Sequence, residues 1–138
     1  MPSLASSVVS KPLDEKISIN LGVVDLGQID LLVQEGFYAN RTDLIRTAIR
    51  NQLGAHAEVV KQVVARKMLV LGIQHVTVAD LRAVQAAGQT LQLRVLGLAT
   101  IAPDVTPELA LATIDSLTVL GALHASPAVK AALADRLR

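Results

Sequence analysis

Residues 16–21 have the sequence Lys16-Ile-Ser-Ile-Asn-Leu21, in which polar and apolar side chains alternate. This period of two predicts a β-strand with one apolar and one polar face. Two predicted helices follow, and no neighbouring strand is available to satisfy its backbone N–H and C=O groups. The economical partner is the same strand of a second copy, paired antiparallel about a two-fold axis. Residues 15–54 are therefore predicted to form an obligate dimer.

Two helices are predicted after this strand. In the first, apolar residues recur at helical spacing after Asp25, a candidate N-cap, and Gly36 is a candidate C-terminal stop. The second begins at Asn40, with Asp43 three residues later as an imperfect capping box. Gly54 ends or bends this second helix. The segment thus has the order strand, helix, helix.

This order resembles the ribbon-helix-helix family of CopG-like transcriptional regulators. The most specific parts of the resemblance are the turn Gly36-Phe-Tyr-Ala-Asn-Arg41 and the helix Asp43-Leu-Ile-Arg-Thr-Ala-Ile-Arg50. It covers residues 15–54, and nothing after Gly54 is expected to belong to it. The resemblance implies a swapped dimeric β-ribbon that enters the major groove of a double-stranded DNA operator. The implied function is a sequence-specific regulator that represses by occupying promoter sites.

The resemblance also assigns the DNA contacts. The base-reading positions are those on the polar face of the strand: Lys16, Ser18 and Asn20. Lys can donate to guanine and Asn can pair with adenine, although a solvated strand face would carry the same residue types. The phosphate-binding positions are at the start of the second helix: Asn40, Arg41 and Thr42. Their N–H groups would point at a phosphate, while Asn40 can also be simply an N-cap.

Apolar residues of the strand and second helix are expected to form the dimer core: Ile17, Ile19, Leu21, Ile45 and Ile49. Arg46 and Arg50 lie four residues apart on one face of that helix, within reach of phosphates or of acids such as Asp43. A surface ion pair is the favoured expectation for them. The ribbon-helix-helix segment is therefore expected to combine dimerisation with DNA binding.

The second half of the chain contains one short motif three times: Leu69-Val-Leu-Gly72, Arg94-Val-Leu-Gly97 and Thr118-Val-Leu-Gly121. A helix-start signal follows each copy, at Thr77, at Thr106 before proline, and at Ser126 before proline. Each unit is therefore predicted to be a strand, a turn and a short helix. Parallel stacking of three units would give a small solenoid-like β/α repeat domain.

In such a stack the valines of the motif form one column and the leucines form the next, on the opposite face of the sheet. These oligomerisation candidates are Val70, Leu71, Val95, Leu96, Val119 and Leu120. Helices of the same chain can cover only one face, so a second subunit is expected to cover the other. The predicted result is a tetramer or a larger assembly, and the alternative is a monomeric core domain.

Several functions are excluded on composition and spacing. The chain has no cysteine, and it has no Gly-rich phosphate loop and no His-Glu metal spacing. His75, Thr100 and His124 can share one column, but the two histidines, on either side of Thr100, would be about 9–10 Å apart and too far for one metal, so solvated or hydrogen-bonding histidines are expected. We therefore expect no enzyme activity, no catalytic residue, no cofactor and no metal. No apolar run is long enough for a membrane span, and no secretory signal is evident, so a cytoplasmic protein is expected.

The predicted fold class is α+β, with four parts: a flexible arm at 1–14, the ribbon-helix-helix domain at 15–54, a connecting helix at 55–67, and a three-repeat oligomerisation domain at 68–138. Residues 1–55 carry five basic and six acidic side chains: Lys11, Lys16, Arg41, Arg46 and Arg50 against Asp14, Glu15, Asp25, Asp30, Glu35 and Asp43. Because phosphate neutralisation supplies much of DNA affinity, a single dimer should bind weakly and gain from assembly. Two alternatives remain open, an antitoxin-like protein whose C-terminal half binds a protein partner and a structural assembly protein that dimerises through the ribbon.

Overall fold

The computed structural model of one copy of the chain describes residues 13–138, so most of the predicted arm at 1–14 lies outside the described residues. Two compact units are present, Asp14–Val63 and Val64–Arg138. The elements in chain order are α1 (Val23–Gln34), α2 (Arg41–Ala55), α3 (Ala57–Lys67), β1 (Val70–Val76), α4 (Val78–Ala86), β2 (Leu91–Ile101), α5 (Pro107–Thr113), β3 (Ile114–His124), α6 (Pro127–Ala132) and a 3₁₀ turn (Ala134–Arg136). The chain is therefore a mixed helix and strand protein.

Helix α1 begins two residues before Asp25, so the prediction of Asp25 as its N-cap is wrong. Gly22 is the N-cap, and Asp25 lies in the first turn, where a carboxylate interacts favourably with the positive end of the helix dipole. Gly36 does end the helix, with a φ of 85°. The Phe37 N–H donates to the Leu32 carbonyl at 3.0 Å, which completes the glycine-dependent cap predicted there.

Helix α2 begins after Asn40, as predicted, because the Asn40 side chain accepts a hydrogen bond from the Asp43 N–H at 2.8 Å. The Asp43 carboxylate accepts from the Ala39 N–H at 2.9 Å, one residue earlier than in a standard capping box. Gly54 lies in the last turn of α2 and α3 begins at Ala57, so the predicted interruption falls between two consecutive helices.

Residues 14–22 contain neither a helix nor a strand in the single chain. A strand is defined by hydrogen bonds to a neighbouring strand, and the predicted neighbour belongs to a second copy. None of the three helices α1, α2 and α3 contains a fully buried residue. In one copy of the chain, these three helices are therefore formed but do not enclose a fully buried hydrophobic core.

The second unit is a three-stranded parallel sheet in the order β1-β2-β3, with each strand followed by a helix. Val70 pairs with Val95 and Val95 with Val119, and the leucines and glycines of the motif pair in the same way. This register confirms the predicted columns. The helices begin where predicted, since the side chains of Thr77, Thr106 and Ser126 all accept a hydrogen bond from the N–H three residues on.

The core of the second unit lies between one face of the sheet and the helices α4, α5 and α6. Its buried members are Val76, Leu81, Leu93, Ile101, Val105, Ala110, Ile114, Leu117, Val129 and Leu133. A fully buried aliphatic side chain of Leu or Val size contributes about 1.5–3 kcal/mol relative to exposure to water. The buried members of this core are therefore all aliphatic, with no aromatic residue among them.

The other face of the sheet is open in the single chain. Leu71 is 68% exposed, Ile73 is 61% exposed and Leu120 is 53% exposed, whereas Leu96 on the central strand is half-buried. Within residues 13–138, no helix combines the length and apolar character needed to cross a bilayer. The apolar excess of the C-terminal half is therefore divided between a packed core and an exposed sheet face.

A column of glycines bends all three strands at one level. Gly72, Gly97 and Gly121 have φ values of 125°, 138° and 118°, which L-residues with side chains rarely adopt. A Cβ atom on Gly97 would overlap the carbonyl oxygen of Gly72, and a Cβ atom on Gly121 would overlap that of Gly97. Close stacking of the three bends is possible only because these positions have no side chain.

Candidate nucleic-acid interface

The three predicted base-reading residues lie in the segment that precedes α1. Lys16, Ser18 and Asn20 are all exposed, and so are the apolar residues between them, with Ile17 79% exposed. In one copy of the chain, both sets of side chains are open to solvent. The polar side chains of this segment can serve as donors and acceptors to base edges only if its apolar side chains are buried against another surface.

The predicted phosphate-binding residues lie at the start of α2. The Asn40 side chain is used as the N-cap and satisfies the Asp43 N–H. Within the described part of the chain, the backbone N–H groups of Arg41 and Thr42 have no protein acceptor. These two N–H donors therefore lie at the positive end of the dipole of a fifteen-residue helix, where binding of an anion is favoured.

The side chain of Arg41 has a partner that the sequence analysis missed. Its guanidinium donates two hydrogen bonds to the carboxylate of Asp30 on α1, at 2.7 and 2.8 Å, and both side chains are about half exposed. Hydrogen bonding from Arg41 lowers the pKa of Asp30, and hydrogen bonding to Asp30 raises the pKa of Arg41. An anion that bound this guanidinium would have to compete with Asp30.

Two further arginines lie exposed on α2. Arg46 and Arg50 have no ion-pair partner among residues 13–138, so the expected pairing with Asp43 is not formed. The Asp43 carboxylate instead accepts the Ala39 N–H in the turn. Both guanidinium groups remain available as positive charge on the second helix.

The predicted dimer-core residues are mostly uncovered in one copy. Ile19 is 71% exposed, Ile49 is 48% exposed and Leu21 is 39% exposed, while Ile45 is partly buried. Phe37, in the turn between α1 and α2, is 71% exposed. Aliphatic and aromatic surface of this extent on a fifty-residue unit is typical of a protein interface.

Several polar side chains of the second unit form hydrogen bonds within its own structure. The imidazole of His75 forms a hydrogen bond with the Thr100 hydroxyl on the neighbouring strand, one of the two expectations for the histidines of this column. No group of His, Cys, Asp or Glu within residues 13–138 is arranged to hold a metal ion. Asp80 completes the capping box of Thr77, and hydrogen bonds from Thr77 lower its pKa. These polar groups stabilise the local structure of the sheet domain.

Two helices joined by a glycine turn, with an exposed, non-helical segment of alternating polarity before them, are typical of small DNA-binding modules that use a β-ribbon. The chain belongs to the ribbon-helix-helix transcriptional regulator family, whose family model matches residues 12–130. Proteins of this family are DNA-binding transcriptional regulators that usually act as dimers. No curated protein matches the chain, and no solved structure does.

The family match extends well beyond the segment that carries the resemblance in sequence. It continues past Gly54 and includes β1, β2 and β3. The expectation that the resemblance ends at Gly54 was therefore too narrow. The sheet domain is part of the matched family region, joined to the helices in one chain.

Proposed function

We propose that the protein is a sequence-specific transcriptional repressor whose β-ribbon, formed by residues 16–21 of two copies, enters the major groove of an operator. The observation that carries this proposal is the first unit itself, with alternating polarity in an exposed segment and no fully buried residue in its helices. Pairing two such segments would cover Ile17 and Ile19 and leave the polar side chains on the opposite face. The major groove is wide enough for a two-stranded ribbon.

In this proposal the polar face reads bases and α2 fixes the position on the backbone. Lys16, Ser18 and Asn20 contact base edges, while the N–H groups of Arg41 and Thr42 bind a phosphate at the start of α2. Helix N-termini are well suited to that role because their first N–H groups lack intrahelical acceptors. The protein acts in the cytoplasm, without a cofactor and without enzymatic activity.

The proposed role of the sheet domain is to join dimers into tetramers or larger assemblies. The supporting observation is the exposed leucine face, which one copy of the chain leaves open at Leu71 and Leu120. The ribbon-helix-helix segment has a slight excess of acidic over basic residues, so the electrostatic gain from one dimer is small. Several dimers on one stretch of DNA gain affinity through effective concentration.

The experiment that tests DNA reading is selection of bound sequences from a pool of random duplexes by the full chain. We expect a palindromic sequence to be enriched, because two-fold symmetry of the ribbon is matched by two-fold symmetry of the site. Binding of the enriched duplex and of a scrambled duplex is then compared at a fixed salt concentration. If no sequence is enriched, base readout by the ribbon is contradicted.

The double substitution Leu71→Lys and Leu120→Lys tests the assembly role. Charges on the exposed leucine face should prevent association, so the full chain is expected to fall to a dimer in light scattering. Operator affinity should fall by about 10²-fold or more, because the avidity of linked dimers is lost. Leu111→Lys, on α5 and 40% exposed, is the matched control and should keep the assembly. An unchanged mass for the double variant would contradict this role.

The exposed leucine face also supports a second candidate function. An antitoxin-like protein would use the same face to bind a different protein, with DNA binding as a secondary activity. Co-purification of a second protein at stoichiometric amounts from the native host would favour this candidate. Its absence, together with a homo-oligomer, would favour the assembly role.

A further inference from the structure

The glycine column is open at one edge of the sheet. Gly72 on β1 has a similarly positive φ to Gly97 and Gly121, but among the described residues no atom lies within 4 Å of its Cβ position. At the other two glycines, that space is filled by the carbonyl of the glycine on the preceding strand. The β1 edge therefore has an open space at the Cβ position of Gly72 that one more glycine carbonyl could fill. We call this space the receptor.

The matching carbonyl is found at the opposite edge. The Gly72 carbonyl lies against Gly97, and the Gly97 carbonyl lies against Gly121. By the same geometry, the Gly121 carbonyl lies on the outer side of β3, where the described chain has no fourth glycine. One edge of the sheet thus carries the receptor and the other carries the group that fits it.

The lengths of the two edges also agree. The start of β3 is covered by residues 137 and 138, because Leu137 bridges to Leu117 and the Arg138 N–H donates to the Leu117 carbonyl at 2.7 Å. In the register of the column, residues 70–75 of β1 correspond to residues 119–124 of β3. A second β1 therefore matches the part of β3 that follows the contact with residues 137 and 138.

The apolar groups at the two edges are complementary as well. A groove of about 280 Å³ beside β3 is lined mainly by apolar residues, together with one lysine: Val119, Gly121, Leu123, Lys130, Leu133 and Leu137. Val70 on the free edge of β1 is 46% exposed, whereas Val95 in the centre of the same column is fully buried. A second β1 beside β3 would place its Val70 next to Val119 and its Leu71 next to Leu120.

We propose that the sheet domains join head to tail, with β1 of one copy pairing in parallel with β3 of the next and the Gly121 carbonyl lying against Gly72. This inference rests on the proposed assembly role and identifies its contact. Such a heterologous contact does not close after two copies, so it produces rings or open-ended arrays. The leucine column then continues from copy to copy.

Pairing of two β1 edges with each other does not satisfy the same geometry. The carbonyl of Gly72 is directed at Gly97 of its own chain and cannot also fill the receptor of a partner. An edge without charged or proline residues, such as Val70–Val76, is open to another strand. Only β3 offers the glycine carbonyl at the required level.

Cysteine cross-linking tests this contact directly, because the chain contains no cysteine. Ile73 and Ala122 occupy the same level of the column, so the head-to-tail contact places them side by side. Full chains carrying Ile73→Cys and Ala122→Cys are mixed and oxidised. We expect a cross-linked pair in the mixture at a yield at least about tenfold above that of either variant alone. A mixture of Ile73→Cys with Leu111→Cys is the control and should not cross-link.

The possible outcomes separate this inference from the assembly role. Self-cross-linking of Ile73→Cys at the yield of the mixture would overturn the head-to-tail contact in favour of paired β1 edges. Assemblies in light scattering without any cross-link would also overturn it, while leaving the assembly role intact. A chain that stays dimeric at all concentrations would overturn both, and binding to the enriched duplex would then be judged separately.

The variant Gly72→Ala provides a second test. Its methyl group meets open space within one copy but would overlap the Gly121 carbonyl of the next copy. We expect this variant to remain dimeric, whereas Gly88→Ala, which also has a positive φ and open surroundings, should assemble normally. Circular dichroism checks that both variants are folded. Assembly of folded Gly72→Ala at the level of the unmodified chain would overturn the proposal.

Discussion

Replacing Gly97 by alanine is expected to unfold the sheet domain. The added Cβ atom would overlap the backbone carbonyl of Gly72, and backbone atoms on paired strands cannot move apart without breaking the sheet. The φ of 138° adds conformational strain for any residue with a side chain. We expect a loss of about 4 kcal/mol or more in the free energy of unfolding, a large part of the stability of an ordinary domain.

Gly72→Ala is the matched control for this effect. Gly72 has a similar φ of 125°, but its Cβ position faces open space, so only the conformational strain applies. Its expected cost is about 1–3 kcal/mol. Denaturant unfolding of both variants at low protein concentration measures the difference, which reports the carbonyl overlap alone. Equal losses of stability in the two variants would contradict the close stacking of the glycines.

Replacing Lys16, Ser18 and Asn20 together by alanine is expected to remove the preference for the operator. A good side-chain contact with a base pair is worth about 1–3 kcal/mol of discrimination, and the proposed ribbon contains each residue twice. The affinity for the enriched duplex should therefore fall by about 30-fold or more. Binding to the scrambled duplex should change much less, because it depends mainly on phosphate contacts.

Lys61→Ala is the control for the lost positive charge. Lys61 is exposed on α3, outside the proposed ribbon, and its removal should weaken binding to both duplexes alike. Fluorescence anisotropy at one fixed salt concentration compares the variants, and light scattering checks that each keeps the oligomeric state of the unmodified chain. Retained operator affinity in the triple variant would contradict direct base readout and favour the alternative in which the ribbon serves only dimerisation.

Local chemistry explains which features of the fold could be predicted. The caps at Asn40, Thr77, Thr106 and Ser126 depend only on residues within one turn, and all four are present. The register of the sheet was also predictable, because the bent glycine recurs at the same place in each motif. The caps are determined by residues close together in sequence, and the register is determined by the repetition of the Val-Leu-Gly motif.

Features that depend on the arrangement of separate elements were not predictable. The bond between Arg41 and Asp30 joins residues eleven positions apart on different helices, so it depends on the angle between α1 and α2. The carbonyl contact at Gly97 depends on how closely two strands approach, which the motif alone does not indicate. The strand at 16–21 stays a prediction, since its hydrogen-bond partner belongs to a second copy.

The pairing of Arg41 with Asp30 bears on how long the protein stays on DNA. On the proposed interface, a phosphate that takes the guanidinium replaces a carboxylate that already holds it with two hydrogen bonds. When the phosphate dissociates, the Arg41 guanidinium can form its hydrogen bonds with Asp30 again, so it is not left unpaired. In the proposed assembly, the time that the protein stays bound to a promoter then depends on how many chains must dissociate together.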